Sequence, residues 1–385
     1  MRSRRGSRVW GALLALGVAA CGGSSADPDL GLEGPPGAVQ GNATARQNEA
    51  LQSTGATRLV LQAGGPGFQE GSAIAFDADN NFVVLGYFIG SIGFPDGSSF
   101  QAPGPELNLI IVKYHHTGRI LWVRTFGAIP GSSDPLRSRS LAVDRWGNVV
   151  FAAFSSSPVD FGGGRLSPGG FLVKLNPNGD YVWSRELHVD DGLLQDARVE
   201  TDRDGNIIFA GTLIGTLDFG SGQRTSAGGG REPSAVLAKF SANNPLIWVN
   251  VDPRPSRAAG LAVEDDGDLI QCTQGAEGPG SLSGATVTKL NRHGRQIWSR
   301  TFEASGGYLL LLQVAVQGNT VVAVGALLGS AHIAGRQLKA DLPKGLFIGL
   351  TAGDGRDLWA RALGRLALSV AMADNCCRSR ESAEI

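Results

Sequence analysis

Two acidic segments have the residue spacing of an oxygen-rich calcium-binding loop. Their candidate ligands are Asp77, Asp79, Asp202 and Asp204. Calcium takes about six to eight oxygen ligands, and the helix–loop–helix calcium site adds a bidentate glutamate at its twelfth position. That position holds Phe88 in the first segment and Leu213 in the second, so the calcium pattern fails there. Because aspartate side chains also form Asx turns, the sequence favours hairpin turns and leaves the four aspartates as weak metal candidates.

The other reactive side chains do not form a pattern typical of catalysis. The histidines are His115, His116, His188, His293 and His332, and the sequence has no His-Glu-x-x-His or Cys-x-x-Cys spacing. It also lacks the Gly-x-Ser-x-Gly motif of a nucleophilic serine. Cys272 falls in an apolar run and is interpreted as a small core residue. We therefore predict no catalytic residue, no metal and no cofactor.

A tryptophan recurs five times, and in four copies an arginine follows two residues later. The tryptophans are Trp122, Trp183, Trp248, Trp298 and Trp359. Asn250 replaces the arginine in the third copy. Residues two apart on a strand share a face. The sequence therefore favours structural anchors, in which each tryptophan packs between sheets and the arginine stem covers it. The alternative is a ring of stacking platforms for sugars.

Each tryptophan ends a longer phrase that also recurs five times. It opens with an apolar run and an acidic turn, as in ARVETDRDGN, and a second run follows, as in IIFAGTLIG. The third part contains a recurring lysine, as in FLVKLNPNG, and the fourth contains the tryptophan, as in YVWSREL. The lysines are Lys113, Lys174, Lys239 and Lys289, with Gly349 in the fifth copy. Apolar runs between Gly, Asp and Asn turns predict four antiparallel strands per copy.

Copies of four strands predict an all-β fold: a β-propeller of about five four-stranded blades plus an incomplete sixth. The predicted repeat domain covers residues 56–375. Extra length is expected in the loop between the second and third strands, which would carry any binding specificity. The phrases Leu217-Asp218-Phe219-Gly220, Val173-Lys174-Leu175-Asn176 and Trp183-Ser184-Arg185, with the turn at Asp202, resemble bacterial extracytoplasmic propeller-repeat proteins of the SBBP type. The resemblance implies a propeller and hardly constrains activity.

The ends of the array are irregular. Residues 57–65 are similar to a lone fourth strand, which in a propeller completes the last blade and removes an open sheet edge. Residues 367–375 are similar to the first strand of a sixth copy, and an irregular tail follows at 376–385. One hypothesis is a truncated or shifted reading frame after Asn375. The alternative is a natural end, with the tail lying over a five-bladed ring.

The N-terminus predicts export and a lipid anchor. Residues 1–20 contain four arginines, no acid and an apolar stretch of 12 residues, which is typical of a signal peptide. Val18-Ala19-Ala20-Cys21 resembles the bacterial lipobox, which implies that Cys21 is acylated, with palmitate among its acyl chains. Gly22 follows in place of the aspartate linked to inner-membrane retention, so the resemblance implies the outer membrane. Residues 21–55 are rich in Gly, Pro and Ser and are interpreted as a flexible linker.

Charge and pattern together favour a binding protein. The whole chain has 34 basic and 35 acidic residues; removal of the four arginines in residues 1–20 leaves 30 against 35, a net charge of −5. This balance argues against nucleic-acid binding. We expect an outer-membrane-anchored scaffold for protein or glycan partners, on the periplasmic or the cell-surface side. The alternatives are a quinoprotein-like enzyme with a cofactor such as pyrroloquinoline quinone, suggested by the strand at Trp183, and a lipoprotein subunit of an outer-membrane assembly complex.

Overall fold

The computed structural model describes residue 59 and residues 61–102, 107–127, 137–275 and 284–363. These residues form seven antiparallel sheets, five large and two small, so the prediction of an all-β fold is confirmed. The predicted signal peptide, Cys21, the predicted linker, the predicted sixth-copy segment 367–375 and the tail 376–385 lie outside the described residues. No helix within the described ranges is long and apolar enough to cross a lipid bilayer.

The first three large sheets are meanders in which each strand pairs with the next main strand. The first contains β1 (Gln69–Phe76), β2 (Phe82–Phe88), β5 (Asn108–Tyr114) and β6 (Ile120–Phe126), with a small hairpin of β3 (Ser91–Gly93) and β4 (Ser99–Gln101) between β2 and β5. The second contains β7 (Arg137–Val143), β8 (Val149–Ser155), β11 (Gly169–Leu175) and β12 (Tyr181–Leu187), with the hairpin β9 (Val159–Asp160) and β10 (Arg165–Leu166). The third contains β13 (Val189–Thr201), β14 (Ile207–Asp218), β16 (Ser234–Phe240) and β17 (Leu246–Val251), with β15 (Gln223–Thr225) paired to β14.

The last two large sheets repeat the same meander. The fourth contains β18 (Ser256–Val263), β19 (Leu269–Gly275), β20 (Gly284–Leu290) and β21 (Gln296–Glu303). The fifth contains β22 (Ser305–Gln317), β23 (Thr320–Ile333), β24 (Arg336–Thr351) and β25 (Asp357–Leu363). Among the described residues the single helical element is the short turn α1 (Ala227–Gly230), which lies between β15 and β16 where the repeat pattern predicted none.

The apolar core lies between successive sheets. Neighbouring sheets pack through their first strands, from β1 to β7, β13, β18 and β22 in turn. Strand β8 shows why its run of apolar residues does not alternate with polar ones. Val149 and Phe151 belong to the cluster shared with the first sheet, whereas Val150 and Ala152 belong to the cluster shared with the third. A sheet covered on both faces needs apolar residues at consecutive positions.

The inserts between the second and third strands help to fill the spaces between sheets. Phe161, beyond β9, is 2% exposed and has its ring centroid 5.5 Å from that of Phe171. Phe219, beyond β14, is fully buried beside Phe209. Asp160 and Asp218 shape these inserts by accepting N–H groups two and four residues further on. In the fifth sheet the insert is a hairpin extension that pairs Gly329–Ile333 with Arg336–Ala340.

The N-terminal segment contacts the first sheet without forming a regular strand in it. Its ladder contact is the isolated bridge between Gly64 and Gly93. The side chains of Leu59 and Leu61 lie over the turn at Gly118, about 3 Å from where a Cβ atom on that glycine would stand. Of the predicted lone fourth strand, residues 59 and 61–65 are described, and they cover the first sheet.

Candidate functional sites between the sheets

A row of four residues crosses each large sheet at the same register. In the first four sheets its third member is the recurring lysine and its fourth is the tryptophan. The rows are Ala75-Val83-Lys113-Trp122, Ala142-Val150-Lys174-Trp183, Glu200-Ile208-Lys239-Trp248, Ala262-Ile270-Lys289-Trp298 and Ala315-Val322-Gly349-Trp359. Residues that pair across antiparallel strands lie on one face. In the first four sheets this row faces the following sheet.

The recurring lysines form buried ion pairs with the acids of the first turn. Lys113 Nζ lies 2.9 Å from Asp77 Oδ2, and Lys239 Nζ lies 2.8 Å from Asp202 Oδ2. Lys174 Nζ lies 3.2 Å from Asp144 Oδ2. All these side chains are less than a tenth exposed. The sequence analysis identified the recurring lysines and the recurring first-turn acids separately. It did not predict that they pair with each other.

Asp202 has its oxygen atoms occupied by donors of its own chain. Oδ1 accepts the N–H groups of Asp204 and Asn206 at 2.9 Å, and Oδ2 accepts Asn206 Nδ2 at 2.9 Å and the Lys239 ammonium. Burial alone would raise the pKa of Asp202, but the hydrogen bonds from Lys239 and Asn206 outweigh it and lower that pKa below its ordinary value. This is the geometry of an Asx turn.

Asp77 has the same arrangement. Its Oδ1 accepts the N–H groups of Asp79 and Asn81, and its Oδ2 accepts Asn81 Nδ2 and Lys113 Nζ. Its pKa is also lowered, since the bonds from Lys113 and Asn81 outweigh the effect of burial. Asp79 and Asp204, the other two weak metal candidates, are exposed at the tips of their turns. The structure therefore places the four aspartates in two turns. In each turn a lysine ammonium of the same sheet, Lys113 or Lys239, forms an ion pair with the first aspartate.

The fourth sheet carries a denser acidic turn. Carboxylate oxygens of Glu264, Asp266 and Asp268 lie within 4.8 Å of one another. Lys289 Nζ lies 2.5 Å from Glu264 Oε2 and 3.6 Å from Asp268 Oδ2. Burial raises the pKa of Glu264, and the bond from Lys289 opposes this increase only in part. Here too the chain's own ammonium pairs with the acidic turn, at two of its three carboxylates.

The fifth sheet lacks both members of the pair. Gln317 stands at the acid position and Gly349 at the lysine position. A buried charge without its partner is costly, whereas removal of both charges is tolerated. The joint replacement indicates that acid and lysine stabilise the sheets as a unit.

The tryptophans bind the third turn of the following sheet. Nε1 of Trp122 donates to Pro177 O at 2.8 Å, and Nε1 of Trp298 donates to Ala352 O at 2.9 Å. Trp183 and Trp248 make the equivalent bonds to Ala242 O and Arg292 O at 3.4 and 3.2 Å. The rings cover turn glycines closely: a Cβ on Gly179, which has φ +80°, would stand 2.8 Å from the ring of Trp122.

The arginines complete the same contact. Arg124 Nε donates to Gly179 O and Arg300 Nε to Gly355 O, both at 2.8 Å. Asn250 reproduces the bond with a shorter side chain, since its Nδ2 donates to Gly294 O at 2.7 Å. We call this Trp–Arg contact with the next turn the clasp. Four of the five predicted tryptophan anchors lie in clasps.

Trp359 differs from the other four. Its ring lies over Gly349 of its own sheet, where a Cβ atom would stand 2.4 Å from the ring, and the residue is 39% exposed. The fifth sheet has Gly349 where the other sheets have the recurring lysine. The absence of a side chain there leaves room for the ring of Trp359.

The clasp supports a first prediction. We expect Trp298→Phe to lower the free energy of unfolding by about 1 kcal/mol, because phenylalanine keeps most of the packing and loses the donor to Ala352 O. Urea denaturation followed by circular dichroism would measure the change. Trp146, which is 54% exposed at the first turn of the second sheet, provides the control. Trp146→Phe should stay within about 0.5 kcal/mol of the parent, and equal losses in the two variants would contradict the assigned role of the Nε1 bond.

Glu200 is the exception among the first members of the rows. It stands where the other four sheets have alanine, on the face directed to the fourth sheet. Part of the residue reaches the surface, but burial of the carboxyl group raises its pKa to about 7. A charge that titrates near neutral pH inside a repeated contact is a candidate for function. An alignment of the five copies would have shown this glutamate in place of the recurring alanine. The sequence analysis did not identify it.

A cleft of about 540 Å³ opens where the fourth sheet meets the hairpin extension of the fifth. Its polar lining residues are Thr301, Glu303, Ser305, Ser330, His332 and Gln337. Thr301 and Glu303 belong to the edge strand β21, where they alternate with Phe302, whose side chain packs toward the fifth sheet. His332 and Gln337 form a cross-strand pair on the exposed side of the hairpin, whereas Ala331 and Ile333 face the core. Of the five histidines, His332 lines this cleft, and His188 lines a second cleft of about 270 Å³.

The fold and these contacts define a class: an all-β protein of repeated four-stranded antiparallel sheets joined by ion-paired turns and tryptophan clasps. No protein-family model and no curated protein matches the sequence.

Solved structures show distant similarity. The chain resembles the WD40 domain of Neurospora crassa Pan2 at 9% identity and a TM-score of 0.38, over 77% of this chain and 79% of that one. It resembles the Hadza microbial sialidase Hz136 at 12% identity and a TM-score of 0.44, over 76% and 58%. It resembles a Synechocystis apocarotenoid oxygenase mutant at 13% identity and a TM-score of 0.44, over 77% and 63%. Similarities at this level carry no argument about the activity of this chain.

Proposed function

We propose that the protein is a lipid-anchored, extracytoplasmic β-propeller that acts as a binding or scaffold module. The large sheets are its blades, and the ordered contacts between successive first strands support their arrangement around an axis. Leu59 and Leu61 cover Gly118 as Trp122 covers Gly179. This supports the predicted role of the N-terminal segment as a lone fourth strand that completes the last blade.

One observation carries the binding role. The recurring polar side chains, namely the first-turn acids, the lysines and the tryptophan–arginine pairs, are engaged in contacts that hold the sheets together. The residues that differ between the copies lie at the surface, in the inserts between the second and third strands and in the clefts. Leu342, on the third strand of the fifth sheet, is a large apolar side chain that is 74% exposed. A rigid frame with variable exposed inserts suits recognition of a partner.

In-cell photo-crosslinking tests the binding role. A photoreactive phenylalanine derivative at Leu342 should give adducts of defined mass in the full-length chain. The control is the same residue at Arg203, which is exposed at a repeated turn tip. Adducts from Leu342 and not from Arg203 support the proposal. No adduct at Leu342, at His332 or at Glu303 in a folded, exported chain would count against it.

The anchor has its own test. We expect the wild-type chain, produced in a Gram-negative host with an alkyne-tagged palmitate, to carry the label and to fractionate with the outer membrane. Several acyl chains make such an anchor almost irreversible, since each buried CH₂ contributes about 0.8 kcal/mol. Cys21→Ser should lose the label and become soluble, whereas Cys272→Ser should keep it. Labelling that survives Cys21→Ser would refute the assignment. The quinoprotein-like and assembly-complex alternatives stay predictions.

A further inference from the structure

The fourth sheet presents an unusually polar face to the third sheet. Six polar, uncharged residues of its second, third and fourth strands lie on that face: Gln271, Thr273, Thr286, Thr288, Ser299 and Thr301. Their orientation follows from register, because Leu269 and Leu290, an even number of residues away on the same strands, pack against Ile208 and Leu237 of the third sheet. We call these six residues the hydroxyl face.

The corresponding positions in the other sheets are largely apolar. In the third sheet they hold Phe209, Gly211, Ala238, Val236, Val249 and Val251. In the fifth they hold Ala323, Gly325, Ile348, Leu346, Ala360 and Ala362. The second sheet has Phe151, Ala153, Val173 and Phe171 there, with Ser184 and Glu186 on its outermost strand. The polar residues therefore occur at the contact between the third and fourth sheets and are not a feature that all copies of the repeat share.

Four residues of the hydroxyl face reach the surface. Ser299 and Thr301 are exposed, and Thr286 and Thr288 are partly exposed.

The hydroxyl groups are ordered and retain bonding capacity. Thr286 Oγ1 lies 3.0 Å from Thr301 Oγ1, and Thr288 Oγ1 lies 3.1 Å from Ser299 Oγ. A hydroxyl group offers one donor and two acceptor sites. Each pair uses one donor and one acceptor site, so donors and acceptors remain for a ligand. At the turn end of the face, Asn250 takes the place of the longer arginine of the other clasps, and Trp248 lies beside it.

From this geometry we propose that the hydroxyl face, with Asn250 and Trp248 at its turn end, binds a neutral glycan. Fixed hydroxyl and amide groups match ligands that donate and accept hydrogen bonds in equal measure, as sugar hydroxyls do. The six residues are uncharged, and the charged residue in line with them on β21 is Glu303 at the far end, so an anionic ligand is disfavoured. This inference rests on the proposed binding function and names its ligand class and site.

The test is direct binding of the full-length chain to a printed array of neutral oligosaccharides, including cello-, malto- and chito-hexaose, beside sulfated and sialylated sugars. We expect retention on at least one neutral sugar, followed by titration of that sugar in solution. The double variant Thr288→Val, Thr301→Val keeps the side-chain shape and removes two hydroxyls from the face. It should weaken binding at least tenfold and leave the thermal midpoint as high as in the parent.

The matched control is Thr125→Val in the first sheet, at the register that Thr301 has in the fourth. It should bind like the parent. Unchanged affinity in the double variant would overturn the site, and so would selective binding of anionic sugars or of none. Those results are distinguishable from failure of the proposed function, because adducts from Leu342 with a protein partner would still support a binding module.

Discussion

Replacement of Lys239 by methionine should destabilise the protein by about 3–5 kcal/mol, which is the usual cost of leaving a buried charge without its partner. Asp202 would keep its Asx-turn bonds and lose the ammonium 2.8 Å from Oδ2. Urea denaturation at pH 7 would measure the change as a lower midpoint. Lys339→Met, at an exposed lysine of the fifth-sheet hairpin, is the control and should lie within about 0.5 kcal/mol of the parent.

A second substitution separates a charge effect from a packing effect. Asp202→Asn retains an oxygen acceptor for the turn and removes the charge, so the double variant Asp202→Asn, Lys239→Met should recover most of the stability lost in Lys239→Met. The fifth sheet, with Gln317 and Gly349, already lacks both charges. Failure of the double variant to recover would show that the lysine acts through its packing alone.

The same pair predicts the response to acid. Because the folded-state pKa of Asp202 lies below its ordinary value, its contribution to stability is present above pH 4 and is lost as the pH falls through the folded-state pKa. The parent should therefore lose stability below about pH 4. In Lys239→Met the difference from the parent should shrink over the same range, as both proteins protonate Asp202.

Replacement of Glu200 by alanine should stabilise the protein at alkaline pH by up to about 3 kcal/mol. The carboxyl pKa is about 7 in the folded protein against an ordinary value of 4.5, and each pH unit of difference corresponds to about 1.4 kcal/mol. The raised pKa means that the folded state favours the protonated form of Glu200 over the charged form. The contribution of Glu200 to stability should be fully present below pH 4.5 and be lost progressively as the pH rises through 7.

Alanine is the matched replacement, since it occupies the same row position in the other four sheets. The unfolding free energies of Glu200→Ala and the parent, measured from pH 4 to pH 9, should be similar at the acid end and diverge above about pH 5. Glu303→Ala, at an exposed glutamate, should leave the pH profile of the parent unchanged. Parallel profiles for Glu200→Ala and the parent would show that the carboxyl group is hydrated in the folded protein.

The predictions for Lys239 and Glu200 concern two kinds of residue: one that recurs in successive sheets and one that occurs in a single sheet. The acid–lysine pairs and the clasps are the same kind of contact in successive sheets and account for the common frame. Glu200 and the hydroxyl face fall on opposite sides of the single contact between the third and fourth sheets. That contact also has the smallest buried apolar cluster of the four between sheets. Function is best sought there and in the hairpin of the fifth sheet.

The sequence by itself determined the all-β fold, the four strands of each copy and their order within a sheet. Apolar runs of about seven residues bounded by Asp, Asn and Gly turns are local signals, and a meander of neighbouring strands follows from short connections. The Asx turns at Asp77 and Asp202 were predictable for the same reason, because an aspartate bonds N–H groups two and four residues away.

Only the tertiary structure decided which repeated residues meet. Lys239 is 37 residues from Asp202 and Trp298 is 54 residues from Ala352, so neither pair could be derived from local spacing. The polar character of the hydroxyl face also needed the register, since Thr288 and Ser299 look unremarkable in their own strands until each is placed opposite the other and compared across sheets. Contacts between faces depend on how whole sheets pack, and that packing is fixed by the summed burial of many side chains rather than by any one segment.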